Sequence, residues 1–326
     1  MTLHVLNGDA TRLKLERSGV EGVLTVWADA LHEGPVPQGV EGDDLARVRA
    51  RHFARHMDAS VDHVIEMVRG WNAALAGYRD FDEVVFWLEH DLFDQLLLIR
   101  HLYWLSSIDP GSTRFSLICI GAYPGVQNFS GLGPLTPGQL ATLPAVRRPI
   151  TPAQVALGRE AWSLFRAPDP TGLLAWMNSD PAELPFLHGA LRRHFEDYPW
   201  RHDGLSRSER QILTAIAQGH TTFPDIFAAC QAMEERVFMG DLTLLSILRK
   251  LADDRNPMVT VRGDGGGQDT GTIRASLTDV GAVVLEGGAD HMELNAVDRW
   301  TGGVHLTSTS PWRWDAAART LVAAER

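Results

Sequence analysis

The feature that most constrains this chain is a junction between two apolar runs. Residues 83–88 read EVVFWL, residues 92–105 read LFDQLLLIRHLYWL, and Glu89, His90 and Asp91 stand between them. The short run suits a strand covered on both faces. The longer run suits a helix, here read as 91–105. Three consecutive ionisable residues at such a junction are costly to bury unless they are paired or bind something.

The rest of the N-terminal third repeats the alternation. Strands are predicted at 3–6 (LHVL), 23–27 (VLTVW) and 114–120 (RFSLICI), with helices at 10–17, 43–57 and 60–77. Such alternation predicts an α/β domain with a mostly parallel sheet and helices on both faces. Residues 121–150 are rich in Gly and Pro and predict either an interdomain linker or a functional loop packed over the sheet edge; their Tyr, Phe and Leu content favours the loop. Thr151 and Pro152 open a helix that runs to about Phe165. Shorter helices are expected near 171–177 and 183–197.

From residue 205 the pattern changes. Ser206 and Glu209 form an S-x-x-E capping box before a helix ending at Gly219. Helices at 222–230 and 238–252 follow, then strands at 257–262 and 271–277 around the turn GDGGGQD. Three helices and a β-hairpin predict a helical, winged-helix-like C-terminal region. The expected division is an α/β ligand-binding domain over 1–125, a connecting loop and helical segment over 126–200, and a winged-helix-like domain with a C-terminal tail over 201–326. Trp300, Trp312 and Trp314 give the tail large apolar area.

In a parallel sheet, function gathers beyond the carboxyl ends of the strands. Three of the predicted strands end in polar clusters. The first is Asn7-Gly8-Asp9, with Thr11 and Lys14 on the helix that follows. Gly8 permits a turn or the close approach of a ligand, and the helix start offers free N–H groups to an anion. Asn7, Gly8, Asp9, Thr11 and Lys14 are therefore candidate cofactor-binding residues. The structural alternative is that Asp9 only caps the helix. The six-residue dinucleotide fingerprint is absent.

The second cluster is Asp29, His32 and Glu33, fixed by Gly34-Pro35, and the third is Glu89, His90 and Asp91, followed by Asp94 and Gln95. His90, Glu89, His32 and Glu33 are the candidate catalytic residues, with His90 as general base or ligand. Asp91 and Gln95 lie four apart on one helix face, so a capping network is the structural alternative. Asp9, Asp29, Glu33 and Asp91 are candidate metal ligands. Their oxygen donors suit Mg2+ or Mn2+, and His32 or His90 would shift the choice toward manganese, iron or zinc. A metal there would activate water or a phosphate, with Lys14 or Arg12 neutralising substrate charge.

Composition narrows the partners. The chain has 326 residues and a formal net charge of -11, with Lys14 and Lys250 its only lysines. That length suits two or three domains, and the acidic balance disfavours nucleic acid and anionic membranes. Residues 200–277 carry nine Arg or Lys against ten Asp or Glu, which argues against a DNA-reading winged helix and for a protein partner or self-association. No run reaches the length of a membrane span, and the start lacks the features of a signal peptide, so a cytoplasmic location is expected. Cys119 and Cys230 cannot form a cysteine zinc motif, and Cys119 reads as a small buried hydrophobe.

HVLNGD, WADALHEGPV and FWLEHDLFDQL, three motifs in order within residues 3–123, resemble the DUF1835 family of bacterial proteins. The resemblance implies that Asn7, Gly8, Asp9, Asp29, His32, Glu33, Gly34, Pro35, Glu89, His90, Asp91 and Gln95 belong to one group, and it carries no activity with it. The first expectation is an enzyme or sensor binding a small phosphorylated or nucleotide-like ligand, with or without a divalent metal. The alternatives are a regulatory protein using the winged helix for protein contact and a transcription regulator.

Overall fold

Five strands form one sheet in the order β2-β1-β4-β5-β6. They are β1 (Thr2–Leu6), β2 (Val23–Val26), β4 (Glu83–Glu89), β5 (Arg114–Ile120) and β6 (Arg148–Pro149); β3 (Gly34–Pro35) lies outside this sheet. β1 runs parallel to both β2 and β4, and β4 runs parallel to β5. The two-residue β6 pairs antiparallel at the edge, so the sheet is mixed. β4 sits at its centre and is buried along its whole length, as an uninterrupted apolar run requires.

The two sheet faces are covered differently. One presents Leu6, Val85, Trp87 and Ile118 to Leu15 of α1 (Asp9–Leu15) and to Leu132, Leu135, Leu140 and Leu143. The Gly/Pro-rich segment is therefore a covering layer of the sheet, since its leucines are buried among the strand residues. On the opposite face the Phe86 ring stacks on His101 of α4 (Leu92–Leu105), centroids 4.6 Å apart. There α6 (Pro152–Phe165) approaches α4 closely: a Cβ on Gly158 would lie 2.3 Å from the Leu102 Cβ. A separate cluster is formed by α2 (Gly42–His56) and α3 (Val61–Ala76), which bury Ala50, Phe53, Val64 and Ile65 together.

The structure is a computed structural model describing residues 1–56, 59–179, 182–263, 270–310 and 312–323. The chain divides into two compact units: residues 1–191 with Gly302–Val304, and residues 192–301 with 305–326. Within the first unit, Val36 N–H donates to the Gly302 carbonyl and Gly303 N–H to that of Phe165, at 2.8 and 3.0 Å. The Gly302-Gly303 turn is thus held by main-chain bonds.

The second unit is mainly helical. It contains α9 (Arg207–Ala217), α10 (Phe223–Ala232), α11 (Asp241–Asp253) and the antiparallel pair β7 (Val259–Arg262) and β8 (Arg274–Leu277). The predicted capping box holds: Ser206 Oγ accepts from Glu209 N–H, and Glu209 Oε2 accepts from Ser206 N–H. The glycine-rich part of the predicted turn, 264–269, lies outside the described residues. Arg193 is buried and holds Glu234 at 2.8 Å and Asp197 at 3.0 Å, while Phe195 stacks on Trp314 of the tail. Among the described residues no helix is long and apolar enough to cross a membrane.

Candidate functional site

The carboxyl ends of β1 and β4 lie side by side, because the two strands pair in parallel with Leu6 opposite Trp87. That register brings Asn7 to Glu89 across 82 residues of sequence. Asn7 Nδ2 donates to Glu89 Oε1 at 2.9 Å and to Asp94 Oδ2 at 3.0 Å. Thr11 Oγ1 donates to Asn7 Oδ1 at 3.0 Å, which fixes the orientation of the amide. Asp91 is the N-cap of α4, and its Oδ1 accepts the Asp94 N–H at 3.0 Å. The cap therefore places two carboxylates, Asp91 and Asp94, in one turn beside the end of β4.

Glu89, Asp91 and Asp94 are all buried and can hold a cation, each offering an oxygen within 4.8 Å of the others. Asp94 Oδ1 is buried and, among the described residues, meets no donor in good hydrogen-bonding geometry. Among the described residues none of the three carboxylates forms an ion pair with Lys, Arg or His. Burial raises the pKa of Glu89, against the pull of the Leu132 N–H and Asn7. Burial also raises Asp91 and Asp94 well above the usual carboxylate range, and the neighbouring carboxylates add to it. Three negative charges cannot share so dry a space without protons or a cation. An all-oxygen donor set with an unsatisfied buried oxygen fits a hard divalent ion such as Mg2+ or Mn2+.

The covering segment closes one side of this site. Leu132 N–H donates to Glu89 Oε1, and Lys14 Nζ donates to the Gly133 carbonyl. Gly131 has φ +125°, and a Cβ there would lie 2.1 Å from Glu89 Oε2, so this position excludes any side chain. Gln95 Nε2 donates to the Glu89 carbonyl at 2.6 Å, and Cys119 also donates to it at 3.3 Å. Cys119 is thus part of the polar support as well as a packing residue, and burial pushes its thiol up to about 12.

The other predicted site residues take different places. Asp9 is exposed and pairs with Arg12 at 2.8 Å, while Gly8 occupies the N-cap position that the sequence suggested for Asp9. Gly8 is extended, with open space where a side chain would stand, so neither a turn nor crowding requires glycine there. Asp29 is buried against Arg49, which donates to its carboxylate at 2.6 and 3.0 Å and also to the Ala30 and Glu33 carbonyls. This ion pair shapes the 29–35 loop and engages Asp29. Neither Asp9, Asp29 nor Glu33 belongs to the carboxylate group around Glu89. His32 packs edge-on against Phe93 in the first turn of α4, centroids 6.0 Å apart, so its loop reaches the same helix end. His90 packs its ring between Phe129 and Phe186.

Sequence reasoning missed Asp94 as a candidate ligand. The signal was present: an aspartate three residues after an N-cap aspartate falls in the same first helical turn. It also missed Gly131 and Leu132, which no periodic pattern marks. A scan of the chain against protein-family models matches none, and a search of curated proteins also returns no match.

Proposed function

We propose that the first unit binds one divalent cation, Mg2+ or Mn2+, through Glu89, Asp91 and Asp94, and uses it to hold a small phosphorylated or nucleotide-like ligand as an enzyme or sensor. The observation that carries this reading is the buried Asp94 Oδ1, which among the described residues meets no well-aligned hydrogen-bond donor in a cluster of three carboxylates. Asn7, Thr11 and Gln95 support the reading as positioning residues: they hold Glu89 and Asp94 without supplying a positive charge. A bound cation would polarise a phosphate or activate water. The likeness to the DUF1835 family over 3–123 supports treating Asn7 and Glu89 as parts of one site.

The test is Mn2+ binding followed by electron paramagnetic resonance and calorimetry. The wild-type chain is expected to bind one Mn2+, and Glu89→Gln combined with Asp94→Asn is expected to weaken it at least tenfold with the circular dichroism spectrum retained. Undiminished Mn2+ binding by the folded double variant would sink the proposal. Adding pyrophosphate to the loaded protein then probes the ligand class, since a phosphate-holding metal predicts tighter binding with Mn2+ than without it.

A second reading concerns the second unit, for which we propose a winged helix that contacts protein. Its support is topological. The stretch between α9 and α10 bridges β8: Thr222 pairs with Arg274, Phe223 N–H donates to the Ile273 carbonyl, and Ala275 N–H to that of Thr221. A helix, a bridge to the hairpin, two helices and the hairpin itself follow in the order of a winged helix.

A further inference from the structure

The first unit contains a cavity of about 390 Å3 away from the carboxylate cluster, bounded by Trp27 after β2, Asn72 of α3, Arg100 and Trp104 of α4, and Trp162 of α6. That volume falls in the range of small-molecule sites. None of the three clustered carboxylates lines it. Arg100 follows Asp91 by nine residues, roughly 13 Å along the helix axis.

The charges around this cavity are unevenly satisfied. Asp29 is held by Arg49, Asp43 by Arg47 and Arg69, and Glu41 by Arg166. Arg100 forms no ion pair among the described residues. Its guanidinium lies over the Trp27 ring at 4.1 Å and donates to Asn72 Oδ1 at 3.0 Å. Asn72 Oδ1 also accepts the Trp27 indole N–H at 3.1 Å, so ring, amide and cation are fixed together. Burial lowers Arg100 to about 10, which leaves it cationic at neutral pH. The half-buried Arg100 feels Asp29 and Glu41 only at longer range, and those carboxylates are hydrogen-bonded by Arg49 and Arg166, so an incoming anion would be its one direct counterion.

We infer that this cavity is a second ligand site, taking a small organic anion with an aromatic or apolar body whose charged head pairs with Arg100. Carboxylate and phosphate heads both match the planar guanidinium. The tryptophans supply the apolar walls, and the fixed stack on Trp27 presents the guanidinium in one orientation.

Calorimetric titration of the full chain with 2-naphthoate, 2-naphthyl phosphate and the uncharged 2-naphthamide tests this. At least one anion is expected to bind tenfold or more tightly than the amide, and the tighter of the two identifies the head group. Arg100→Gln is expected to remove that tenfold preference and leave amide binding unchanged, with Arg100→Lys intermediate. Equal affinity for acid and amide, no saturable binding of either anion at millimolar concentration, or a folded Arg100→Gln chain that keeps the preference would each overturn the inference. The acid-against-amide comparison uses the wild-type chain, so it decides the matter even where Arg100→Gln fails to fold.

Discussion

At the scale of single residues, the site is a place where function and stability oppose each other. Asp94 is 2% exposed, its neighbours Glu89 and Asp91 carry the same charge, and no cation accompanies them among the described side chains. Asn is nearly the same shape and can still meet Asn7. Asp94→Asn should therefore stabilise the metal-free protein at neutral pH, because it removes a buried carboxylate held beside two others. For a unit of this size the melting temperature rises by about 2–4 °C per kcal/mol. The same variant loses the stabilisation that Mn2+ gives to wild type. A purely structural carboxylate network predicts the reverse, so a lower melting temperature for metal-free Asp94→Asn would reject the opposition argued here. These residues were partly legible in the sequence. Glu89 and Asp91 stood out because charge interrupts apolar runs. Asp29 looked equivalent because Arg49, twenty residues away, cannot be read as its partner without the fold.

At the scale of elements, local chemistry was the readable part. The caps read from the sequence at Asp91, Thr151 and Ser206 each accept the expected backbone N–H, and Ser60 and Thr222 do the same for the helices they precede. The parallel core strands followed from apolar runs alternating with helices. The covering segment was legible only as a loop favoured to pack over the sheet edge, because Gly131, Gly133, Pro134, Pro137, Gly138 and Pro144 interrupt any long regular element and the sheet alone shows Leu132, Leu135, Leu140 and Leu143 buried on one face. The second unit's helices were also legible, and their charge argues about their partner. A DNA-reading winged helix needs a cationic face that releases counterions. Here α11 opens with Asp241 and exposes Leu242, while Arg207 is taken up by Glu196 and Glu235 and Arg193 by Glu234 and Asp197. Fluorescence anisotropy with a random-sequence duplex at about 150 mM salt is accordingly expected to show no saturable binding below the ~10⁻⁴–10⁻⁶ M range of nonspecific contacts. Submicromolar binding that weakens steeply with salt would reject the protein-contact reading.

At the scale of the whole molecule, the buried carboxylate clusters of the two units answer pH in opposite senses. In the second unit burial alone would raise Asp197, Glu209 and Asp254, but cationic and hydrogen-bonding partners outweigh it and leave all three lowered. The main partners are Arg193 for Asp197, Arg299 for Glu209 and His291 for Asp254. A carboxylate lowered in the fold stabilises it above its unfolded value, near pH ~4, and that stabilisation is lost as pH falls through the folded value. The first unit's Glu89, Asp91 and Asp94 are raised instead. A raised carboxylate stabilises the fold below its unfolded value, and that contribution disappears as pH rises through the folded one. Moving from pH ~4.5 to ~7.5 should therefore remove the contribution of Glu89, Asp91 and Asp94 to the metal-free first unit while leaving the Arg193–Asp197 and Arg299–Glu209 pairs intact; moving from ~4.5 to ~2.5 should remove the contribution of those pairs. Mn2+ competes with protons for the clustered carboxylates, so its stabilisation should be large at pH ~7.5 and small at ~4.5. Scanning calorimetry with and without Mn2+, on wild type and Asp94→Asn, separates these contributions. A Mn2+ effect of equal size at both pH values, or one that survives in Asp94→Asn, would place the metal somewhere other than the carboxylate cluster.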